Sequence, residues 1–401
     1  MVNNIGQLLV QAQAAHSADD LSLVINDLQQ LILVDSNEIG HSEQLLKLAL
    51  SIFEMGDFQQ RWDIAKVLVH LGTATINPLI DILEDEDTED ELRWFAARIL
   101  GELQHPDAIM PLVELLKTSE EDELKAIASS AIAQMGSMAI PVLVELLTQE
   151  NTRLLAVRSL AYIRRTETIA PLLSVVQDTQ ASVRAAALEA LSSFHDERVP
   201  PILLNALNDL SAAVRRTAIQ GLSFRSDLSS ELNLVATLQP KLYDFSVEVC
   251  CAAANALARM GGDDAAKHLF TGLISPHTPI TLQLEIIRAL NWLESLKALE
   301  YLRQALNQVT SITLCQEVVT VLGRTQKPEL KIPATAILLE ILNSPHPAIK
   351  TNSVKSAIAL SLGQLGSPEA TESLTMLSQD TDELVRVHAI AALNKLAPAA
   401  V

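Results

Sequence analysis

Aromatic residues make up only 3% of this 401-residue chain, although 49% of it is apolar. A globular core of this size would normally use more Phe, Tyr and Trp. The shortage points instead to thin helical layers filled by Leu, Ala, Ile and Val, which interdigitate in small volumes. Three cysteines argue against a disulfide framework. No uninterrupted apolar run approaches the roughly 20 residues needed to cross a bilayer. The segment Met1-Val2-Asn3-Asn4-Ile5 has no basic or cleavable apolar character, so a cytoplasmic location is expected. Strand alternation, hairpin turns, a Gly-rich phosphate loop, a G-x-S-x-G elbow, H-E-x-x-H and C-x-x-C are all missing.

What is present is a period. An aliphatic anchor followed by Arg, with Ala at the fourth position after the anchor and Leu at the eighth, recurs at Leu92, Val183, Val214 and Val385. The residue after the anchor runs Arg61, Arg93, Lys125, Arg153, Arg184, Arg215, Cys250, Gln283, Cys315, Lys355 and Arg386, mostly 31 to 35 residues apart. Near-constant spacing over this length means stacked units, each burying its apolar face on its neighbours.

Each unit reads as two helices. Apolar or small residues at offsets 0, 4, 7 and 8 from the anchor form one stripe of the second helix. Proline announces the first helix, at Pro78, Pro111, Pro141, Pro171 and Pro201, because its missing N–H costs nothing in a first helical turn. Asp87, Asp178, Asp209, Asp244 and Asp380 fall five residues before an anchor. They are expected to cap the second helix or to pair with an Arg of the same or next unit. Alanine at the fourth position, as in Ala96, Ala128, Ala187 and Ala253, should let neighbouring helices approach closely.

The pattern Asp-x4-Val-Arg-x2-Ala-x3-Leu, preceded by a Pro-Leu-x-x-Leu-Leu helix, resembles HEAT-like repeats of the bacterial phycobilisome-lyase type over roughly residues 60–401. The resemblance implies an all-α fold, a right-handed α-solenoid of about eleven helix hairpins. Residues 1–59 lie outside the frame and are expected to be helical, serving as an N-terminal cap on the first repeat or as a partner-docking helix pair. The resemblance implies a non-catalytic protein-binding scaffold or assembly factor, similar to cyanobacterial HEAT-repeat proteins that bind an A-type scaffold protein in iron–sulfur cluster assembly. The alternative it implies is a phycobilin lyase or bilin chaperone acting on phycobiliproteins, with Arg61 and Arg93 facing propionates and Trp62 and Trp94 facing the ring. The di-iron hydroxylases of this repeat type carry adjacent His-Glu pairs, and no such pair occurs here.

Charge is uneven. The net of −20 divides into −19 over residues 1–150, +3 over 151–226 and −4 over 227–401, which should repel nucleic acid and anionic membranes. The acids concentrate at Glu84–Glu91 and Glu120–Glu123, either as solvated turns beside helix N-termini or as a docking edge for a basic partner. Arg158, Arg164, Arg165, Arg216 and Arg225 lie off the frame and are candidates to face a protein partner. Trp62 and Trp94 follow the frame Arg in consecutive units, off the apolar stripe. They read either as core or as one paired anchor patch. Cys250 and Cys315 occupy frame positions two units apart, about 20 Å by helix-layer spacing, too far to share an ion through metal–sulfur bonds of about 2.3 Å. No catalytic residue, cofactor or metal site is expected.

Overall fold

A computed structural model describes residues 21–34 and 42–396. Residues 1–20 and 35–41 of the expected cap lie outside the described residues, as does the tail after Leu396. Every regular element among the described residues is helical, as the 3.6-residue apolar period requires.

The chain divides into two compact units, 1–194 and 195–401. The first contains α1 (Leu21–Val34), α2 (Ser42–Met55), α3 (Phe58–Leu71), α4 (Ile76–Glu84), α5 (Asp90–Leu103), α6 (Ile109–Thr118), α7 (Asp122–Gln134), α8 (Ile140–Leu147), α9 (Arg153–Ile163), α10 (Ile169–Leu173) and α11 (Ala181–Leu191). The second contains α12 (Val199–Ala206), α13 (Ala212–Ser223), α14 (Leu234–Leu238), α15 (Val247–Met260), α16 (Gly262–Ile274), α17 (Ile280–Trp292), α18 (Leu296–Gln308), α19 (Ile312–Gly323), α20 (Pro328–Leu342), α21 (Asn352–Leu365), α22 (Thr371–Leu377) and α23 (Glu383–Leu396).

The eleven frame residues all lie on the odd-numbered helices from α3 to α23. From α4 onward, each even-numbered helix packs against the odd-numbered one that follows it. Within each unit the odd-numbered helices also stack in succession, α5 on α7 and α13 on α15 for example. Residue 60, where the repeats were expected to start, falls inside α3, and α2 packs on α3. The five prolines sit at the second or third position of α4, α6, α8, α10 and α12, where the missing N–H has no intrahelical acceptor to lose.

The core follows the frame. Ala96, Ala128, Ala156, Ala187, Ala218, Ala253 and Ala389 are all fully buried, as are Leu100, Leu191 and Leu222. Glycine closes some layers further. A Cβ on Gly323 of α19 would stand 2.5 Å from Cβ of Ser361 on α21, and one on Gly363 of α21 would stand 2.6 Å from Cβ of Ala392 on α23. These contacts need bare backbone, because real Cβ atoms do not approach so closely.

The turn aspartates act differently from the expected helix cap. Asp178 accepts from Gln180 N (2.8 Å), Asp209 from Ser211 N (2.8 Å) and Asp244 from Ser246 N (3.0 Å). The N-cap residues are Gln180, Ser211 and Ser246 themselves, and none makes a side-chain cap bond. Asp therefore shapes the turn before the helix, because a short carboxylate readily reaches the N–H two residues on.

Candidate functional site

The frame side chain is a structural staple. Arg153 Nε donates to Leu147 O (2.7 Å), Arg215 Nη1 to Asp209 O (2.9 Å) and Arg386 Nη1 to Asp380 O (2.9 Å), each joining the start of the second helix to the preceding turn. Several of the basic residues also reach forward to the next repeat, whereas Arg93 and Lys125 pair with Asp90 and Asp122 of their own helices. Arg153 pairs with Asp178 (2.5 Å), Arg215 with Asp244 (2.6 Å) and Lys355 with Asp380 (2.8 Å). Cys250 and Cys315 keep the backward half of the staple, with Sγ donating to Asp244 O (3.2 Å) and Val309 O (3.5 Å). Both thiols are buried and their pKa values are raised by that burial. Burial pushes the Cys251 thiol up to about 11, so it is protonated near neutrality and not a ready metal ligand. Among the described residues, no group of three or more His, Cys, Asp and Glu side chains could hold a metal ion.

Arg61 extends this staple into the acidic segment. Its side chain is buried, donating to Phe53 O (3.2 Å) and Glu54 O (3.1 Å) and pairing with Glu91 (2.7 Å) and Glu89. Arg93 donates through Nε to Leu83 O (3.1 Å). Neither guanidinium is aimed at an open site, contrary to the placement that the bilin-binding alternative implied.

Beside this staple the scarce aromatics gather. Asp57 caps α3 by accepting from Gln60 N (2.9 Å), while Gln60 Oε1 accepts from Asp57 N (2.9 Å), a reciprocal capping box. This fixes the first turn of α3, where Phe58 stands exposed and stacks on Trp62 one turn later, with ring centroids 6.3 Å apart. Phe95 of α5 is fully buried and meets Phe58, Trp62 and Trp94 with centroids 5.2, 6.3 and 5.1 Å away. Phe53 of α2 completes the group, 6.4 Å from Phe95.

The tryptophans are half-buried, each with one side on the Phe95 core. Their surroundings differ. Arg98 lies over the Trp62 ring, its guanidinium carbon 3.7 Å from the centroid. Trp94 instead lines an open cleft of about 460 Å³, with Phe58, Leu124, Asp90, Glu91, Glu121 and Glu123. The cleft spans the starts of α3, α5 and α7, and it brings the acidic segments 84–91 and 120–123 together around an aromatic wall. Asp90 and Glu123 sit in first helical turns, where the macrodipole favours negative charge. Among the described residues, Glu121 and Glu123 enter no ion pair.

The off-frame arginines do not gather there. Arg158, Arg164 and Arg165 are exposed on the first unit, Arg164 and Arg165 in the turn after α9. Arg216 is exposed on the second unit. Arg225 is largely covered and pairs with Asp227 (3.1 Å), so it is already engaged. Phe58 and Arg98 carry no mark in the sequence, and Leu124 reads there only as the repeat anchor before Lys125, because only their positions across three helices connect them to Trp62 and Trp94.

A family model for HEAT repeats matches residues 76–153, 140–223 and 310–394. No curated protein matches the sequence. Among solved structures, the chain is similar to one from a study of Kap95p binding to RanGDP, with 14% identity and a TM-score of 0.61, covering 88% of this chain and 55% of that one. The chain thus spans about half the length of that structure. A structure of importin beta in an ammonium sulfate condition aligns with 14% identity and a TM-score of 0.41, covering 94% and 62%. Human deoxyhypusine hydroxylase in complex with glycerol aligns with 19% identity and a TM-score of 0.29, covering 68% and 99%. At such identities the first likeness shows the fold, and the other two superpose too loosely to carry an argument.

Proposed function

The chain belongs to the HEAT-repeat family, and on that premise we propose that it is a non-catalytic, protein-binding scaffold whose docking site includes the cleft between the starts of α3, α5 and α7. One observation carries this reading. Trp94 and Phe58, from different helices of an aromatic-poor chain, leave ring surface open on a cleft edged by Asp90, Glu91, Glu121 and Glu123. Packing alone would have covered those rings. Interface anchors are enriched in such large, rigid side chains, flanked by polar groups.

Within that class we propose an assembly factor that holds an A-type iron–sulfur scaffold protein, the iron being the partner's cargo. The support is the repeat type, the acidity and the docking cleft. The bilin alternative has less support, because four carboxylates line the cleft and would repel a propionate-bearing ligand. Mixing the purified chain with an A-type scaffold protein and titrating by calorimetry tests the proposal. Binding weakened about thirtyfold by Trp94→Ala, about 2 kcal/mol, is expected. Affinity purification from the native organism, with a spectrum of the eluate, separates the two readings. A broad visible shoulder of thiolate-ligated iron supports the assembly role, whereas strong tetrapyrrole bands would overturn it.

A further inference from the structure

The second unit carries a feature that the cleft does not explain. Ten residues past the buried anchors Val214, Val249, Leu282 and Leu314 stand Phe224, Arg259, Trp292 and Arg324. All four are exposed, at the ends of α13, α15, α17 and α19. Ring and guanidinium alternate along one edge of four consecutive repeats. The alternation is physical contact for three of them. Arg259 places its guanidinium carbon 5.1 Å from the Phe224 ring and 5.4 Å from the Trp292 ring.

Local effects account for half of this. A cation in the last turn of a helix is favoured by the macrodipole, by about 0.3–1 kcal/mol. That leaves unexplained two large rings, each 59% exposed, in a chain with so few aromatics. It also leaves unexplained why Arg259 and Arg324 have no carboxylate partner among the described residues, although acids outnumber bases 49 to 29. Other arginines of the unit, such as Arg215, Arg288 and Arg303, are paired with acids of a neighbouring repeat.

A guanidinium flanked by two rings keeps its planar N–H edge open. That edge matches a carboxylate in a bidentate pair, and the neighbouring rings add a cation–π attraction. We propose that this edge is a second docking surface, distinct from the cleft of the first unit, and that its occupant is an extended acidic segment of a partner protein. Arg259 and Arg324 each receive a carboxylate, while Trp292 holds the side chains between them and Phe224 a side chain beyond the Arg259 end. Helix layers lie roughly 8–10 Å apart, so the two arginines are about 20 Å apart. An extended chain advances about 3.3 Å per residue, which sets the two carboxylates about six residues apart. Single-stranded nucleic acid also stacks on rings beside cations. The chain's net charge of −20 disfavours a polyphosphate, charged at every nucleotide, more than a segment with two carboxylates, and the test includes that competitor.

The test is fluorescence anisotropy on the intact chain, with a labelled peptide carrying two glutamates about six residues apart. Its glutamine counterpart and oligouridine are titrated in parallel. The glutamate peptide should bind, and Arg259→Gln and Trp292→Ala should each weaken binding by about tenfold or more. Arg259→Lys should weaken it nearly as much, since an ammonium lacks the planar fork. Arg198→Gln, an exposed arginine of the same unit paired with Asp196, should leave affinity unchanged. Circular dichroism melts should show the variants folded as the parent is. Equal binding of the glutamate and glutamine peptides, no binding of either, unchanged affinity in Arg259→Gln, or tighter binding of oligouridine would each overturn the proposal.

Discussion

Arg98 reaches from α5 across to α3 and lies 3.7 Å above the centre of the Trp62 ring, while its Nη1 is buried without a hydrogen-bond partner. The ring face thus stands where an acceptor would, and a desolvated cation–π contact is worth about 2 kcal/mol. Trp62 and Trp94, alike in sequence, therefore have separate work. Trp62→Ala should lose about 3 kcal/mol of stability, because it opens a cavity and removes the ring under Arg98, whose Nε stays paired with Glu102 (3.2 Å). Trp94→Ala should lose less stability than Trp62→Ala, since it gives up only its contact with Phe95, and should lose partner affinity. Thermal unfolding and calorimetric titration of both variants check the split. Equal melting losses would count against it.

Arg215 and Asp244 form the best-made staple, a two-bond pair of 2.8 and 2.6 Å between successive repeats. The Arg215 hydrogen bonds hold the Asp244 carboxyl below its ordinary value of 3.8, outweighing its burial. A lowered folded-state pKa gives stability that is complete above the unfolded value and is lost as pH falls through the folded one. Asp244→Asn should thus be destabilised at pH 7 by about 2–3 kcal/mol. The gap to the parent should hold down to about pH 4 and close below it. Urea unfolding across that range measures it, and a gap that widened on acidification would reverse the sign.

Gly323 is the last residue of α19 and has no room for a methyl group, since its Cβ would be 2.5 Å from that of Ser361. Helix propensity alone would favour Gly→Ala by at most about 1 kcal/mol, the value for a helix interior. Overpacking between helices costs typically 1–3 kcal/mol. The contact should win, so Gly323→Ala should lower the melting temperature, and Gly323→Ala with Ser361→Gly should recover part of the loss. A stabilised single mutant would mean that α19 and α21 separate at little cost.

Cys251 is the half-buried member of the three thiols, and its pKa stands at about 11. Its alkylation by iodoacetamide should be slow at pH 7 and rise about tenfold per pH unit to pH 10, tracking the thiolate fraction. Cys250→Ser and Cys315→Ser should leave folding and metal content unchanged, because serine can donate to the same turn carbonyls. Mass spectrometry of the alkylated chain and elemental analysis of the variants provide the readings.

The sequence by itself determined the helices, their pairing and the buried stripe. Anchors such as Val214 and Val249, Ala218 and Ala253, and the first-turn prolines all obey rules that act within one or two helical turns. The forward pairing of Arg215 with Asp244 was also foreseeable, because a constant period places like residues at like heights in neighbouring layers. Extending the same frame two residues beyond its eighth position would have exposed Phe224, Arg259, Trp292 and Arg324 as a series. Only the tertiary structure decided that Trp94 borders a cleft while Trp62 lies under Arg98, that Phe58 joins them, and that Glu121 and Glu123 face the same opening as Asp90. Those neighbours come from separate helices. Their meeting depends on the offset between stacked layers and on side-chain rotamers, which a period along one chain does not encode.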